Sequence, residues 1–145
     1  MAEFIVRKAE PKDAEQISAL LGELGYPNPP DFVREKIKAM EPGDSDILLV
    51  AETMRIVIGA AHLHIAEMLH EKGKLGRVMA LVVTNNYRWL GVGKKLITTA
   101  ETMAKEAGCS KMEVTSAMHR EPAKKFYEGL GYAEKRRRFI KYLSD

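Results

Sequence analysis

The chain has 145 residues and a formal net charge of +3, with 46% hydrophobic and 30% charged residues. That size predicts one domain, residues 1–145, with a core of its own, and the composition excludes a disordered or fibrous chain. No stretch reaches the ~20 apolar residues of a membrane span, and the single cysteine, Cys109, excludes an intrachain disulfide.

The opening MAEFIVRKAEP lacks the basic start, apolar core and small-residue site of a secretion signal, so a cytoplasmic location is expected. The modest positive charge suits an anionic ligand. Lys135-Arg136-Arg137-Arg138 is the one dense basic run and reads as a solvated strand end or surface patch; neither a nucleic acid nor a membrane is expected as a partner.

Phe4-Ile5-Val6 makes a short first strand. Within Ala9–Gly25 the apolar residues Ala14, Ile17, Leu20, Leu21 and Leu24 recur at helical spacing, with Asp13 near the first turn, where an acid suits the dipole. Pro27, Pro29 and Pro30 keep the next stretch out of a helix. Asp31–Met40 predicts a second helix, with Phe32, Val33, Ile37 and Met40 inward. After a turn at Glu41-Pro42-Gly43-Asp44 come a strand at Ile47–Ala51, a reversal at Glu52-Thr53-Met54 and a strand at Arg55–Ile65. In that strand Gly59 marks a bulge or a close approach. Ala66–Gly76 reads as irregular, turning at Gly73 and Gly76. Val78–Val83 is apolar enough for a buried strand, and Val92, Leu96, Ala100, Met103 and Ala107 make the stripe of a long amphipathic helix. Lys111–Thr115 is a further strand. Glu121–Leu130 is a helix with Pro122 in its first turn and Gly131 at its end, and Tyr132–Tyr142 gives one or two closing strands. The order predicts an α+β fold, layered α/β/α, on a mixed and mostly antiparallel sheet of six or seven strands.

Between the buried strand and the long helix lies Arg88-Trp89-Leu90-Gly91-Val92-Gly93. A turn of this kind gathers unpaired N–H groups and the positive end of a helix dipole, where a phosphate binds. Gly91 and Gly93 allow close approach to a pyrophosphate, and Arg88 adds charge. A short Gly-x-Gly fits an ordinary strand-to-helix turn equally well. The three-glycine dinucleotide fingerprint and the P-loop are both absent, and Gly93-Lys94-Lys95 lacks the hydroxyl that would hold magnesium.

Arg88-Trp89-Leu90-Gly91-Val92-Gly93, with Leu81-Val82-Val83 before it and Lys94-Lys95-Leu96-Ile97 after it, resembles the pyrophosphate-binding signature of the GNAT superfamily of acetyl-CoA-dependent N-acetyltransferases. A second element, from His119 through Phe126-Tyr127 to Leu130-Gly131-Tyr132, resembles that family's later segment, and the likeness runs from Phe4 to Leu143. The resemblance implies a splayed parallel pair of strands in the middle of the sheet, with acetyl-CoA as acetyl donor lying in the gap. The amides of Leu90, Gly91, Val92, Gly93, Lys94 and Lys95 would hold the pyrophosphate beside Arg88 and Trp89. The free edge at Leu81, Val82 and Val83 would bond the pantetheine arm, and Tyr127 would point at the sulfur. The acceptor would be a small-molecule amine or a protein or peptide amine, and a homodimer is compatible with a protein of this type.

Acetyl transfer requires a neutral amine, a polarised thioester, contact between them, and a proton for the departing thiolate. By resemblance Tyr127 is the general acid; by itself it also reads as a core-edge tyrosine. The family's fourth-strand glutamate has no counterpart, since Val78-Met79-Ala80-Leu81 carries no ionisable group. The candidates for a base are His64 and His62, which share one face of the third strand by the period-two rule, then Glu67, His119, or bulk water alone. Imidazole titrates in the right range. His62-Leu63-His64 lacks a third ligand at familiar spacing, so no metal is expected. Cys109 reads as strand-start packing. Tyr26, Phe32 and Trp89 are candidates to line the cleft, and Glu23, Asp31 and Glu35 to attract an ammonium group. A non-catalytic acyl-CoA sensor on the same fold is the competing reading.

Overall fold

A computed structural model describes residues 3–88, 90–115, 121–135 and 138–144. They fall into two compact units, Met1–Thr115 and Ser116–Asp145, taken in turn.

The first unit is a five-stranded sheet with helices on both faces. Its strands are β1 (Ile5–Lys8), β2 (Asp46–Thr53), β3 (Ile56–Glu67), β4 (Lys74–Val83) and β5 (Cys109–Val114), and its helices α1 (Ala14–Leu24), α2 (Pro30–Met40) and α3 (Val92–Glu106). The strands lie in sequence order. The β1/β2, β2/β3 and β3/β4 pairs are antiparallel, and β4/β5 is parallel, joined by the α3 crossover.

The apolar pattern explains the layers. On one face Leu49, Ala51, Ala61, Leu63 and Ile65 pack against Val92, Leu96, Ala100 and Ala104 of α3. On the other, Val50, Val57 and Val82 pack against Ala14, Ile17 and Leu20 of α1 and Val33 and Ile37 of α2. α1 ends where Gly25 takes φ 102°, and α2 begins on Pro30, whose missing N–H costs nothing in a first turn.

The two glycines inside the strands do different work from turning the chain. A Cβ on Gly59 would lie 3.1 Å from Leu96 Cδ1 and 3.1 Å from the Val82 carbonyl oxygen, and the β2/β3 register shifts beside it, so both a bulge and a close approach are present. Gly76 stands inside β4, and a Cβ there would meet Met112 Sδ at 2.6 Å. The reading of 66–76 as irregular is therefore corrected. β4 starts at Lys74, and its glycine is required by packing, not by a turn.

The β2–β3 hairpin closes through Met54 (φ 48°) and Arg55 (φ 67°), one residue beyond the anticipated reversal. Two positive φ values suit Asn-Gly, and L side chains with a Cβ pay for them in strain. The double replacement Met54→Asn with Arg55→Gly is expected to raise stability by about 1–2 kcal/mol, read as a higher urea midpoint at unchanged slope.

In the second unit, α4 (Glu121–Gly129) ends with Gly131 at φ 96° and with the amides of Leu130 and Tyr132 both on the Tyr127 carbonyl, 3.0 Å each. Among the described residues no strand follows. Among the described residues the sheet has five strands instead of the six or seven expected, with the parallel pair at its edge and not in its middle. The sequence of Tyr132–Tyr142 explains the difference. Lys135 to Arg138 would set like charges on both faces of a strand, and adjacent Phe139 and Ile140 would do the same with apolar groups. Phe139, Tyr142 and Leu143 are exposed. No helix among the described residues is long and apolar enough to cross a membrane.

Candidate functional site

β4 runs into the turn that the sequence singled out. A 3-10 turn at Asn85–Tyr87 follows it, pinned by Glu23 of α1. That carboxylate accepts from Thr84 Oγ1 at 2.8 Å and from the Asn85 amide at 3.2 Å, so Glu23 serves this turn. Asp31, another acid considered for an ammonium group, is bonded to Arg34 at 2.6 Å. Arg88 Nε donates to the Val83 carbonyl at 3.0 Å, which spends one guanidinium donor on the strand end. Gly91 then takes φ 76°, the left-handed region, with nothing within 4 Å of where a Cβ would stand.

α3 begins there without a side-chain cap. The Lys95 amide reaches the Gly91 carbonyl at 3.0 Å. Ahead of it, the amides of Val92, Gly93 and Lys94 meet no acceptor among the described residues, as in any uncapped first turn. Lys94 and Lys95 are exposed beside them. Donors, dipole, two cations and an unobstructed backbone converge, and they fit a pyrophosphate.

Among the described residues the neighbouring strand edge is open. β4 and β5 pair from Lys74↔Cys109 to Val78↔Val114 and no further, although β4 continues to Val83. The Thr84 amide bonds Ile58 of β3, so alternation turns the peptide groups of Leu81 and Val83 away from β3, toward the unpaired side. The β3/β4 register slips between His62 and Leu63, leaving Met79 as the extra residue beside the point where β5 departs. Val82 itself is buried against α1 and α2.

On the α1/α2 face lies a polar row that crosses four strands. Asp46 of β2 is register-paired with His64 of β3, His64 with Arg77 of β4, and Arg77 with Glu113 of β5. Asp46 Oδ1 is bonded to His62 Nε2 at 2.8 Å and to His64 Nδ1 at 2.9 Å. Burial opposes ionisation of Asp46, but the bonds from His62 and His64 outweigh it and hold the carboxyl below the usual carboxylate range. Arg77 Nε approaches Glu113 Oε1 at 3.3 Å without a well-formed hydrogen bond.

Tyr127 is half-buried in the second unit, edge-on to Phe126 at 5.1 Å and to Tyr132 at 5.9 Å. Burial raises its pKa above the ordinary phenol value. Cys109 opens β5 among the apolar residues around α3, and burial pushes its thiol up against a smaller opposing effect of Lys74, which leaves it a poor nucleophile. His119 and Trp89 lie outside the described residues. Of the predicted residues, the first unit brings Leu81, Val82, Val83, Arg88, Leu90, Gly91, Val92, Gly93, Lys94 and Lys95 to one end of β4 and α3, and sets His64 on the β3 face two residues beyond His62. The sequence reading missed Asp46, which fell between its turn at Glu41–Asp44 and its strand at Ile47–Ala51.

A profile of the acetyltransferase (GNAT) family matches residues 14–132. A probable glucosamine 6-phosphate N-acetyltransferase of Drosophila melanogaster is 31% identical over 119 residues, 81% of this chain and 53% of that protein. An aminoalkylphosphonate N-acetyltransferase of Salmonella typhimurium is 33% identical over 87 residues, 60% of this chain and 56% of that protein. The chain thus spans about half the length of the curated relatives it matches. Among solved structures, an aminoglycoside N-acetyltransferase in complex with CoA superposes with a TM-score of 0.86 at 19% identity, over 99% of this chain and 97% of that one, a likeness of fold. With the profile covering most of its length, the chain belongs to the GNAT family of acetyltransferases.

Proposed function

We propose that this protein transfers the acetyl group of acetyl-CoA to an amine by direct attack within a ternary complex. The observation that carries the reading is the uncapped N-terminus of α3 beside the unpaired end of β4, one group of donors for the diphosphate and another for the amides of the pantetheine arm. The neutral amine attacks the thioester carbonyl, the tetrahedral adduct collapses, and the thiolate leaves as a thiol with the Tyr127 proton. Both named relatives act on amines that carry a phosphorus anion, so phosphorylated amino sugars and aminophosphonates lead the list of acceptors.

The test is release of free thiol from acetyl-CoA across a panel of amines, with calorimetric titration of CoA alongside. Turnover with at least one class is expected. Gly91→Val, which forces a β-branched residue into positive φ, should weaken CoA binding at least about tenfold. No CoA binding by the unaltered protein would defeat the reading. The absence of an ionisable side chain from Val78 to Leu81 favours the sensor alternative, whose outcome is tight CoA binding with no turnover on any amine.

A further inference from the structure

Within the proposed transfer reaction, on which this inference rests, we infer that His62 is the proton acceptor for the attacking amine and that Asp46 is the residue positioning it. Two independent features of the fold meet at His62. The first is placement. His62 is register-paired with Ala80, next to the extra residue Met79, and β4/β5 pairing stops at Val78↔Val114. Neighbouring strands lie about 4.8 Å apart, so the His62 side chain projects beside the opening through which the thioester would reach this face. His64 stands at Arg77, where β4 and β5 are still paired.

The second feature is the bonding at Asp46. An ionised carboxylate only accepts, so both imidazoles donate to Oδ1. That fixes which nitrogen each ring turns to the carboxylate, Nε2 for His62 and Nδ1 for His64, so that in the neutral ring of His62 the nitrogen left to accept a proton is Nδ1. A bare ring nitrogen whose partner nitrogen is anchored to an anion is the arrangement of a general base. The side chains keep access to solvent, 20% for His62 and 26% for Asp46.

The proton balance is simple. His62 Nδ1 takes one proton from the ammonium form of the acceptor, the amine lone pair forms the new C–N bond, the C–S bond breaks with the Tyr127 proton going to the thiolate, and the second nitrogen proton restores the Tyr127 phenol, leaving thiol and N-acetyl product. The imidazolium is neutralised by Asp46 and returns its proton to water. The other charged groups around the pair are Arg77 opposite His64, Glu113 beyond it, and Lys8, Glu41 and Asp44, which share a shallow cavity with Asp46. Arg77 and Glu113 face each other as an ion pair, which leaves Asp46 as the anion in direct contact with the imidazoles. This chain therefore supplies from β2 and β3 the base that its fourth strand lacks.

The experiment measures kcat and KM against pH for the wild-type protein and for His62→Gln, His64→Gln and Asp46→Asn, with urea unfolding to confirm that each is folded. His62→Gln is expected to lower kcat about 100-fold or more, leave KM for acetyl-CoA unchanged, and abolish the acid limb. Asp46→Asn is expected to lower kcat about tenfold with KM for acetyl-CoA unchanged, since the ring loses the anion that orients it. His64→Gln should do less than either. Imidazole 15N spectra of the unliganded protein should give the Nδ1–H tautomer at His64, lost in Asp46→Asn. A His62→Gln protein with wild-type kcat and an unshifted acid limb would overturn the inference while transfer itself stood. A wild-type protein that binds CoA and acetylates nothing would overturn both.

Discussion

On the proposed reading, Tyr127→Phe is expected to lower kcat by about two to four orders of magnitude and to leave CoA affinity within about twofold, an effect of ~3–5 kcal/mol on the barrier alone. The substitution removes one oxygen. The ring keeps its edge-on contacts with Phe126 and Tyr132, so α4 retains its packing and loss of folding does not imitate loss of chemistry. Burial holds the phenol protonated well into the alkaline range, the state an acid needs at the moment the thiolate departs. Single-turnover release of thiol, with calorimetric CoA binding as the control, gives the answer. Equal turnover by both proteins would remove Tyr127 from the reaction, and a sensor would show no change because there is nothing to slow.

Arg7→Met removes about 3–5 kcal/mol of stability at neutral pH, measured by urea unfolding. Arg7 Nη1 and Nη2 donate to the two oxygens of Asp13 at 2.9 Å each, and Nη2 also donates to Glu52 at 2.8 Å. Asp13 is almost wholly buried and takes a third bond from the Glu10 amide at 2.8 Å. Without Arg7 that carboxylate keeps only the weaker pull of Lys12 as countercharge. The pH dependence gives a second, independent sign. Burial alone would raise the Asp13 pKa, but the bonds from Arg7 and Glu10 prevail and lower it. A carboxyl depressed in the folded state contributes stability that is complete above its unfolded pKa of about 4 and is lost as pH falls through the folded value. The wild-type protein therefore weakens on acidification below about pH 4. In Arg7→Met burial acts unopposed by the guanidinium, and stability rises as pH falls and the stranded carboxylate takes up a proton. Parallel slopes for the two proteins would refute the assignment.

Legibility in the sequence followed the range of each signal. α3 was readable because its inward residues, from Val92 to Ala107, repeat within a few positions of one another, and the Gly91 turn because only a few residue types tolerate it. The pairing of His62 and His64 on one face followed from strand alternation. Asp46 did not follow. It lies 16 residues before His62 along the chain, and only the register of β2 on β3 brings it opposite, a quantity set by the whole hydrophobic pattern and the hairpin. Gly76 misled for a related reason: a glycine needed for Met112 on another strand looks, along the chain, like a glycine needed for a turn. The closing strands expected over Tyr132–Tyr142 rested on local strand preference, which packing must ratify.

On the proposed reading, the bare start of α3 makes the protein's thermal stability depend on the anions in its solvent. A terminus with no cap of its own forgoes about 1 kcal/mol, and any anion that settles on those amides gives it back, which raises the melting temperature by mass action in proportion to the logarithm of its concentration. The transition in phosphate or sulfate is then expected to lie above that in an amine buffer, and a donor analogue is expected to raise it less in the first than in the second.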